Sequence, residues 1–419
     1  MKSYFKSIGL ILAAAMPLTA CGAQAENTMD MGTDMSSVQE TQMEEDKAVD
    51  DHHKKMVDRS LYSLGNTQRL KAKMEKARSG EETTVAYIGG SITEGAMGGP
   101  LGCYAYLSYE YFKNTYGNGD NVKYINAGFS GTSSTLGVLR AERDVLSKNA
   151  DIVFVEFSVN DTQEEESKVA YESLVRTILE RDNEPAVVLL FNRMEGGYSA
   201  QPHMKEIGTQ YDLPMISVAD AITAEFDEGR MTWRDFSEDY AHPTKDGHKL
   251  VCEFIENMYQ AAEAAPDSEQ YVLPDTPKFG TTYKNPALIT PETESERITI
   301  SDMGSYEVKQ AGSQGFEKCW QLCGGTAPIT FNTKGNALFV IYRRNKTDDM
   351  GSFDVLVNGT KLKTINTYNK DSWGEAFPEQ VIKFQTNKDM TVEIVPCEGS
   401  EDKKIQILGI GSAENGKDF

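Results

Sequence analysis

The sequence predicts an α/β fold, a parallel sheet flanked by helices, followed by a smaller all-β sandwich. Three observations carry this. Short apolar runs alternate with longer helical stretches from residue 66 to about residue 259. A proline-rich stretch, with Pro266, Pro274, Pro277, Pro286 and Pro291, then breaks all periodicity. Beyond it the pattern turns to period two. A chain of 419 residues is too long for one ordinary domain, which agrees with this division.

In chain order, Lys2 and Lys6 precede an apolar run from Ile8 to Met16, too short to span a bilayer. It reads as a secretory signal ending in Leu18-Thr19-Ala20-Cys21. Small residues before a cysteine resemble the bacterial lipoprotein signal, which implies that 1–21 is removed up to Cys21 and that Cys21 carries the lipid. No later stretch is apolar enough to cross a membrane. Residues 22–58 are acidic and free of aromatics and predict a disordered tether. His52-His53 within it reads as a solvated pair rather than a metal site.

Order is expected from residue 59. Asn66 can cap a helix through Arg78, which Gly80 ends. Buried strands follow at Thr83–Ile88, Lys123–Asn126, Ile152–Phe157, Ala186–Leu190 and Met215–Val218. Helices are expected at Tyr104–Tyr116, Thr135–Leu146, Ser167–Arg181, Pro202–Tyr211 and Lys245–Tyr259. This makes 59–263 one α/β domain, 264–291 a linker or strap and 292–415 the sandwich. Within the sandwich, Asn358-Gly359 between two alternating runs is a hairpin signal. Beyond Cys21 the cysteines are odd in number and lack framework spacing, which argues against a disulfide-stapled fold. Cys319 and Cys323 are either a pair or buried free thiols.

The formal charge of −22 argues against nucleic acid, since phosphate binding needs clustered Lys and Arg. It disfavours anionic polymers and leaves neutral ones unaffected.

Chemistry concentrates at strand ends. The first strand runs into Gly89-Gly90-Ser91-Ile92-Thr93, placing a hydroxyl at the carboxyl edge of the sheet, where open α/β sheets bind ligands. A phosphate loop would need a Lys-Ser/Thr ending that is absent. The second strand enters Gly128-Phe129-Ser130-Gly131, whose N–H groups can donate to an oxyanion; Gly128 and Gly131 compete for that part. The third ends in Ser158-Val159-Asn160-Asp161, where the Asn160 amide is a further donor. Far along, Asp239 precedes His242 by three residues, within reach of one local turn, with Glu238 as a rival acid. Arg140 and Asp144, four apart, read as an ion pair. His248 reads as a surface or packing residue, and His203 has no assigned part.

These four segments, in this order, resemble the blocks of the SGNH hydrolases, the GDSL-like lipase/acylhydrolase family, over roughly residues 60–260. The first block here reads Gly-Gly-Ser-Ile-Thr instead of Gly-Asp-Ser-Leu. The resemblance implies that Ser91 is the nucleophile and His242 its base, oriented by Asp239. It implies an oxyanion hole from the Ser91 and Gly131 N–H groups and the Asn160 amide, and it implies neither metal nor organic cofactor.

The family includes lipases, thioesterases and carbohydrate deacetylases. An exported, acidic, tethered chain with a β-sandwich resembles the two-domain bacterial acetyl-polysaccharide esterases. The expected reaction is removal of O-acetyl groups from xylan- or mannan-type polysaccharide or oligosaccharide, outside the cell, with lipid on Cys21 as the membrane contact. A lipid or thioester acylhydrolase and a non-catalytic carbohydrate-binding lipoprotein are the alternatives. Tyr104, Tyr106, Tyr109 and Tyr111 suit helix packing better than a sugar wall. Trp320 reads as core, and Trp373, in a polar loop, is a candidate substrate-binding residue.

Overall fold

A computed structural model describes residues 51–415. The leader, Cys21 and the tether up to residue 50 lie outside the described residues. Residues 51–60 are helical, so the tether boundary drawn at 58 falls inside a helix.

The first sheet contains β1 (Leu61–Ser63), β2 (Thr83–Gly89), β3 (Val122–Gly128), β4 (Ile152–Glu156), β5 (Ala186–Phe191) and β6 (Met215–Ser217). Their order is β1-β6-β5-β4-β2-β3, parallel throughout except for β1 against β6. Every residue of β2, β4, β5 and β6 is buried, because helices cover both faces. Successive side chains alternate between faces. Val85 and Tyr87 point to one face and pack among α1 (Gln68–Arg78), α3 (Tyr104–Tyr116), α7 (Val218–Asp227), α8 (Trp233–Phe236) and α9 (Lys245–Ala264). Ala86 and Ile88 point to the other, among α4 (Ser134–Asp144), α5 (Glu165–Leu179) and α6 (Gln201–Gln210). A short α2 (Ser91–Glu94) follows β2 directly.

The proline-rich stretch is a docked strap. The buried Glu172 carboxylate of α5 accepts the N–H groups of Lys278, Phe279 and Gly280, and Tyr283 enters the core beneath α5. The 264–291 boundaries need correction at the far end, where Pro286–Ile289 is a strand, β7. Its proline is the first residue of the strand, where a missing N–H is tolerated.

The second domain is one antiparallel sheet of nine strands: β7, β8 (Thr299–Asp302), β9 (Tyr306–Ser313), β10 (Phe316–Leu322), β11 (Ile329–Asn345), β12 (Ser352–Val357), β13 (Thr360–Asn366), β14 (Trp373–Pro396) and β15 (Gln406–Ala413). The two long strands β11 and β14 pair along their length, with register shifts at Gly335/Ala337 and Leu338/Phe339. Such bulges bend a strand. Ile329, Phe331, Val355, Val392 and Ile394 thereby meet Leu338, Val340, Ile407 and Ile410 in one core, and the sheet folds over as a sandwich. Asn358 and Gly359 join β12 to β13 with φ of 51° and 74°, the backbone that a tight hairpin demands. Trp320 is core, its ring edge-on to Phe331 at 5.1 Å. Cys319 and Cys323 are free thiols, the first buried and the second exposed.

The outer face of this sandwich is apolar as well. Ala337, Phe339 and Ile341 alternate with the sandwich core residues and pack in the same cluster as Leu136 and Leu139 of α4 and Val169 of α5. One core therefore runs through the domain boundary, and the chain from His53 onward clusters as a single compact unit.

Candidate active site

The parallel strands run in the order β6-β5-β4-β2-β3, so the chain reverses direction across the sheet between β2 and β4. Ligands of open α/β sheets bind outside the carboxyl ends of the strands at this point. Ser91 follows β2 and Asn160 follows β4.

His242 Nε2 lies 2.8 Å from Ser91 Oγ, and His242 Nδ1 lies 2.6 Å from Asp239 Oδ2. The other oxygen, Asp239 Oδ1, accepts the N–H groups of His242 at 2.7 Å and Ala241 at 2.8 Å. The three-residue spacing thus works twice, since the same turn fixes the imidazole and caps its own backbone. Burial opposes the Asp239 charge, but these hydrogen bonds overcome it and bring the carboxyl down to about 2. Ser237 Oγ donates to the His242 carbonyl at 2.6 Å, and Thr244 caps α9, accepting from Gly247 N–H at 3.1 Å. Asp239, not Glu238, is the acid on His242. The arrangement can draw the Ser91 proton onto His242 while a carboxylate stabilises the resulting imidazolium.

Around Ser91 the structure gathers the other expected residues. Asn160 lies so close to Gly90 that a Cβ there would collide with its amide oxygen, which puts the side chain beside the Ser91 peptide. Gly131 holds φ of 68°, a left-handed backbone that other residues adopt at a cost. Its rival Gly128 is the last residue of β3, packed against the backbone of Glu94. Trp373 leaves the sandwich and lays its ring against Gly131, where a Cβ would stand 2.7 Å from Trp373 Cζ2. At 59% exposed, it rims the site from the second domain.

Other sequence candidates fall into the scaffold. Tyr104 and Tyr109 are core residues, with Tyr106 and Tyr111 packed against the same cluster. His248 is buried rather than on the surface; its Nδ1 accepts from Tyr104 N–H at 3.2 Å and its Nε2 lies 3.0 Å from the Ala96 carbonyl, and burial lowers it to about 4. His203 is also buried, 3.2 Å from Gln163 Oε1. Arg140 pairs with Asp144 at 3.0 Å, as its spacing predicts, but it also donates to the Gly89 carbonyl at 3.1 Å. Two buried carboxyls flank the site. Burial pushes Glu156 up to about 7 although Thr93 donates to it, and pushes Asp161 up to about 7 although the Ser134 N–H does the same there. Sequence reasoning passed over Tyr240, 62% exposed with its ring 6.3 Å from that of His242. It also passed over Gln314, which reaches the Gly131 loop from the second domain. Among the described residues no cluster of three metal-ligating side chains is found, and no helix is long and apolar enough to cross a membrane.

A doubly wound sheet with a serine–histidine–aspartate chain at its switch point is an arrangement suited to acyl transfer. Residues 87–250 match the GDSL-like Lipase/Acylhydrolase family. The chain is similar to a two-domain esterase (CEX) active on acetylated mannans, with a TM-score of 0.77 and 28% identity over 86% of this chain and 99% of that one. The structure of that esterase co-crystallised with mannopentaose matches equally well, over 87% of this chain. Among curated proteins none matches. Residues 87–250 are thus similar to the GDSL-like lipase/acylhydrolase family, and the chain resembles two-domain esterases, which supports a carboxylic ester hydrolase.

Proposed function

We propose that this protein removes O-acetyl groups from polysaccharide or oligosaccharide of the mannan or xylan type, through an acetyl-serine intermediate. The observation that carries the reading is the unbroken chain from Ser91 Oγ through His242 to Asp239, at 2.8 Å and 2.6 Å. The likeness to an esterase active on acetylated mannans over 99% of that chain supports the substrate class. Ser91 Oγ attacks the acetyl carbonyl as its proton passes to His242 Nε2. The oxyanion is held by the N–H groups of Ser91 and Gly131 and by the Asn160 amide. Collapse breaks the bond to the sugar oxygen, which takes the proton back from His242 and leaves as the free hydroxyl. Water then attacks the acetyl-serine with His242 again as base, releasing acetate. Each step uses the chain's own groups and water. The leader and Cys21 suit a place outside the cell, tethered to the membrane by lipid.

The test is acetate release from acetylated mannan and xylan, set beside hydrolysis of 4-nitrophenyl esters of increasing acyl length. Acetate from polymer and a steep fall beyond the acetyl ester are expected; preference for long acyl chains would turn the reading toward a lipid acylhydrolase. Trp373→Ala is expected to lower the rate on polymer about 3- to 10-fold more than on 4-nitrophenyl acetate, the size of one stacking contact.

A further inference from the structure

The Gly131 loop is held from two sides. Phe129 N–H donates to the Gly89 carbonyl at 3.0 Å, and Ser130 Oγ donates to the Glu94 carboxylate in the turn after Ser91. Those bonds come from the catalytic domain. The Ser130 N–H, by contrast, goes to Gln314 Oε1 at 3.1 Å, and Gln314 lies in the two-residue turn between β9 and β10. The next residue, Gly315, holds φ of 73° and sits so tightly on Phe129 that a Cβ would overlap the ring. The Arg140 guanidinium lies 4.0 Å from the centroid of the same ring. Phe129 is therefore held between a helix of one domain and a turn of the other.

These contacts bear on the Gly131 N–H. Gln314 fixes the peptide that ends at Ser130, and Glu94 fixes the Ser130 side chain. The remaining freedom is the rotation that aims the Gly131 N–H, and the Trp373 ring lies against Gly131 itself. An oxyanion donor is effective only when it points at the developing charge before the reaction starts.

We propose that the second domain is a working part of the oxyanion hole and that Gln314 is a positioning residue acting through the Gly131 N–H. This rests on the esterase reading and extends it. The sandwich raises the rate of the chemical step even for a small ester that carries no sugar to bind, and the turn at 314–315 is the element responsible. A domain serving only to bind polymer would leave the hydrolysis of a small ester untouched.

The test uses the full chain and 4-nitrophenyl acetate, with active serines titrated by a phosphonate so that rates refer to folded sites. Gln314→Met keeps the size of the side chain and removes the acceptor. It is expected to lower kcat per active serine about tenfold, a fraction of the 10²–10³ measured when an oxyanion donor is deleted outright. KM should stay within about twofold and Tm within a few degrees. Gln314→Asn, one methylene too short to reach Ser130, should show the same split, and so covers the case in which the Met variant folds poorly. Affinity for a small boronic acid, which forms a tetrahedral anion on the serine, should weaken by the same factor as kcat. Parental kcat per active serine in both variants, or a loss confined to KM or to the fraction of titratable serine, overturns the proposal. An inactive parent would instead overturn the esterase reading itself.

Discussion

The two faces of the catalytic sheet are covered in different ways. One is closed by the domain's own helices, with Tyr87 of β2 stacked on Phe154 of β4 at 4.8 Å beneath α9. The other is closed first by α4 and α5 and then by the outer surface of the sandwich, so that Phe339 and Ile341 of β11 share a core with Leu136, Leu139 and Leu174. The first face would serve in any domain of this class. The second makes the sandwich part of the fold, and the loop carrying Gly131 emerges where the two domains meet. Buttressing and catalysis are thus not separate duties of the second domain.

The largest expected effect sets the baseline, because Ser91 and His242 sit at the sheet edge and their truncation removes chemistry without touching either face. Ser91→Ala and His242→Ala are each expected to lower kcat by at least about 10³-fold, with the double variant little worse, since members of one unit do not act independently. Multiplicative losses, measured by steady-state kinetics on 4-nitrophenyl acetate, would break the unit apart.

Next comes the shared core. Phe339 is fully buried, with Tyr283 of the strap edge-on at 5.1 Å. Phe339→Ala is expected to cost about 3–5 kcal/mol. Calorimetry should show one cooperative transition for both domains, moved as a whole. Two transitions with only one displaced would mean that the faces are closed independently.

How much of this was legible in the sequence depends on the range of each interaction. Tyr104–Tyr116 is the helix expected residue for residue, because its pattern is local. The triad was readable because four short blocks in order resemble a known family, with Ser91 just after a strand and Asp239 and His242 joined by one turn. Helix α7 was missed because Val218, its first residue, reads as the last residue of the strand before it. Strand β9 was missed because exposed Glu307 and Lys309 dilute its apolar positions, and β10 was legible only around Trp320, where exposed Glu317 and Lys318 and the register shift after Phe316 hide its start. The proline run reads as a linker or a strap, and the structure shows the strap, docked on the catalytic domain. A signal was present in Glu172, an acid on the apolar side of α5 between Tyr171 and Leu174, which needed partners and found them in the strap. Gln314 and Ser130 are 184 residues apart and carry no motif, so nothing local pointed to their contact.

The smallest expected effect compares the two faces at their catalytic edge, where each has one buried acid. Glu156 accepts from Thr93 at 3.1 Å, and Thr93 also bonds Tyr104 on the helix-covered side. Asp161 accepts from Ser134 N–H at 2.8 Å, at the start of α4 on the shared side. Burial raises both folded pKa values to about 7, above the roughly 4 of an unfolded chain. The folded state therefore holds protons that the unfolded state has released between those values. The associated stability is fully present below about pH 4 and is lost as pH rises through about 7. Glu156→Gln keeps a neutral hydrogen-bonding group and removes one of the two titrations. Its stability relative to the parent should rise between pH 5 and pH 8, by about 3 kcal/mol at most for a shift of this size. Because Asp161 still titrates, the fall of Tm with pH should be reduced by about half rather than abolished. Identical slopes in the two proteins, followed by thermal melts across that range, would mean that Glu156 is already ionised in the fold and that the helix-covered face carries no such cost.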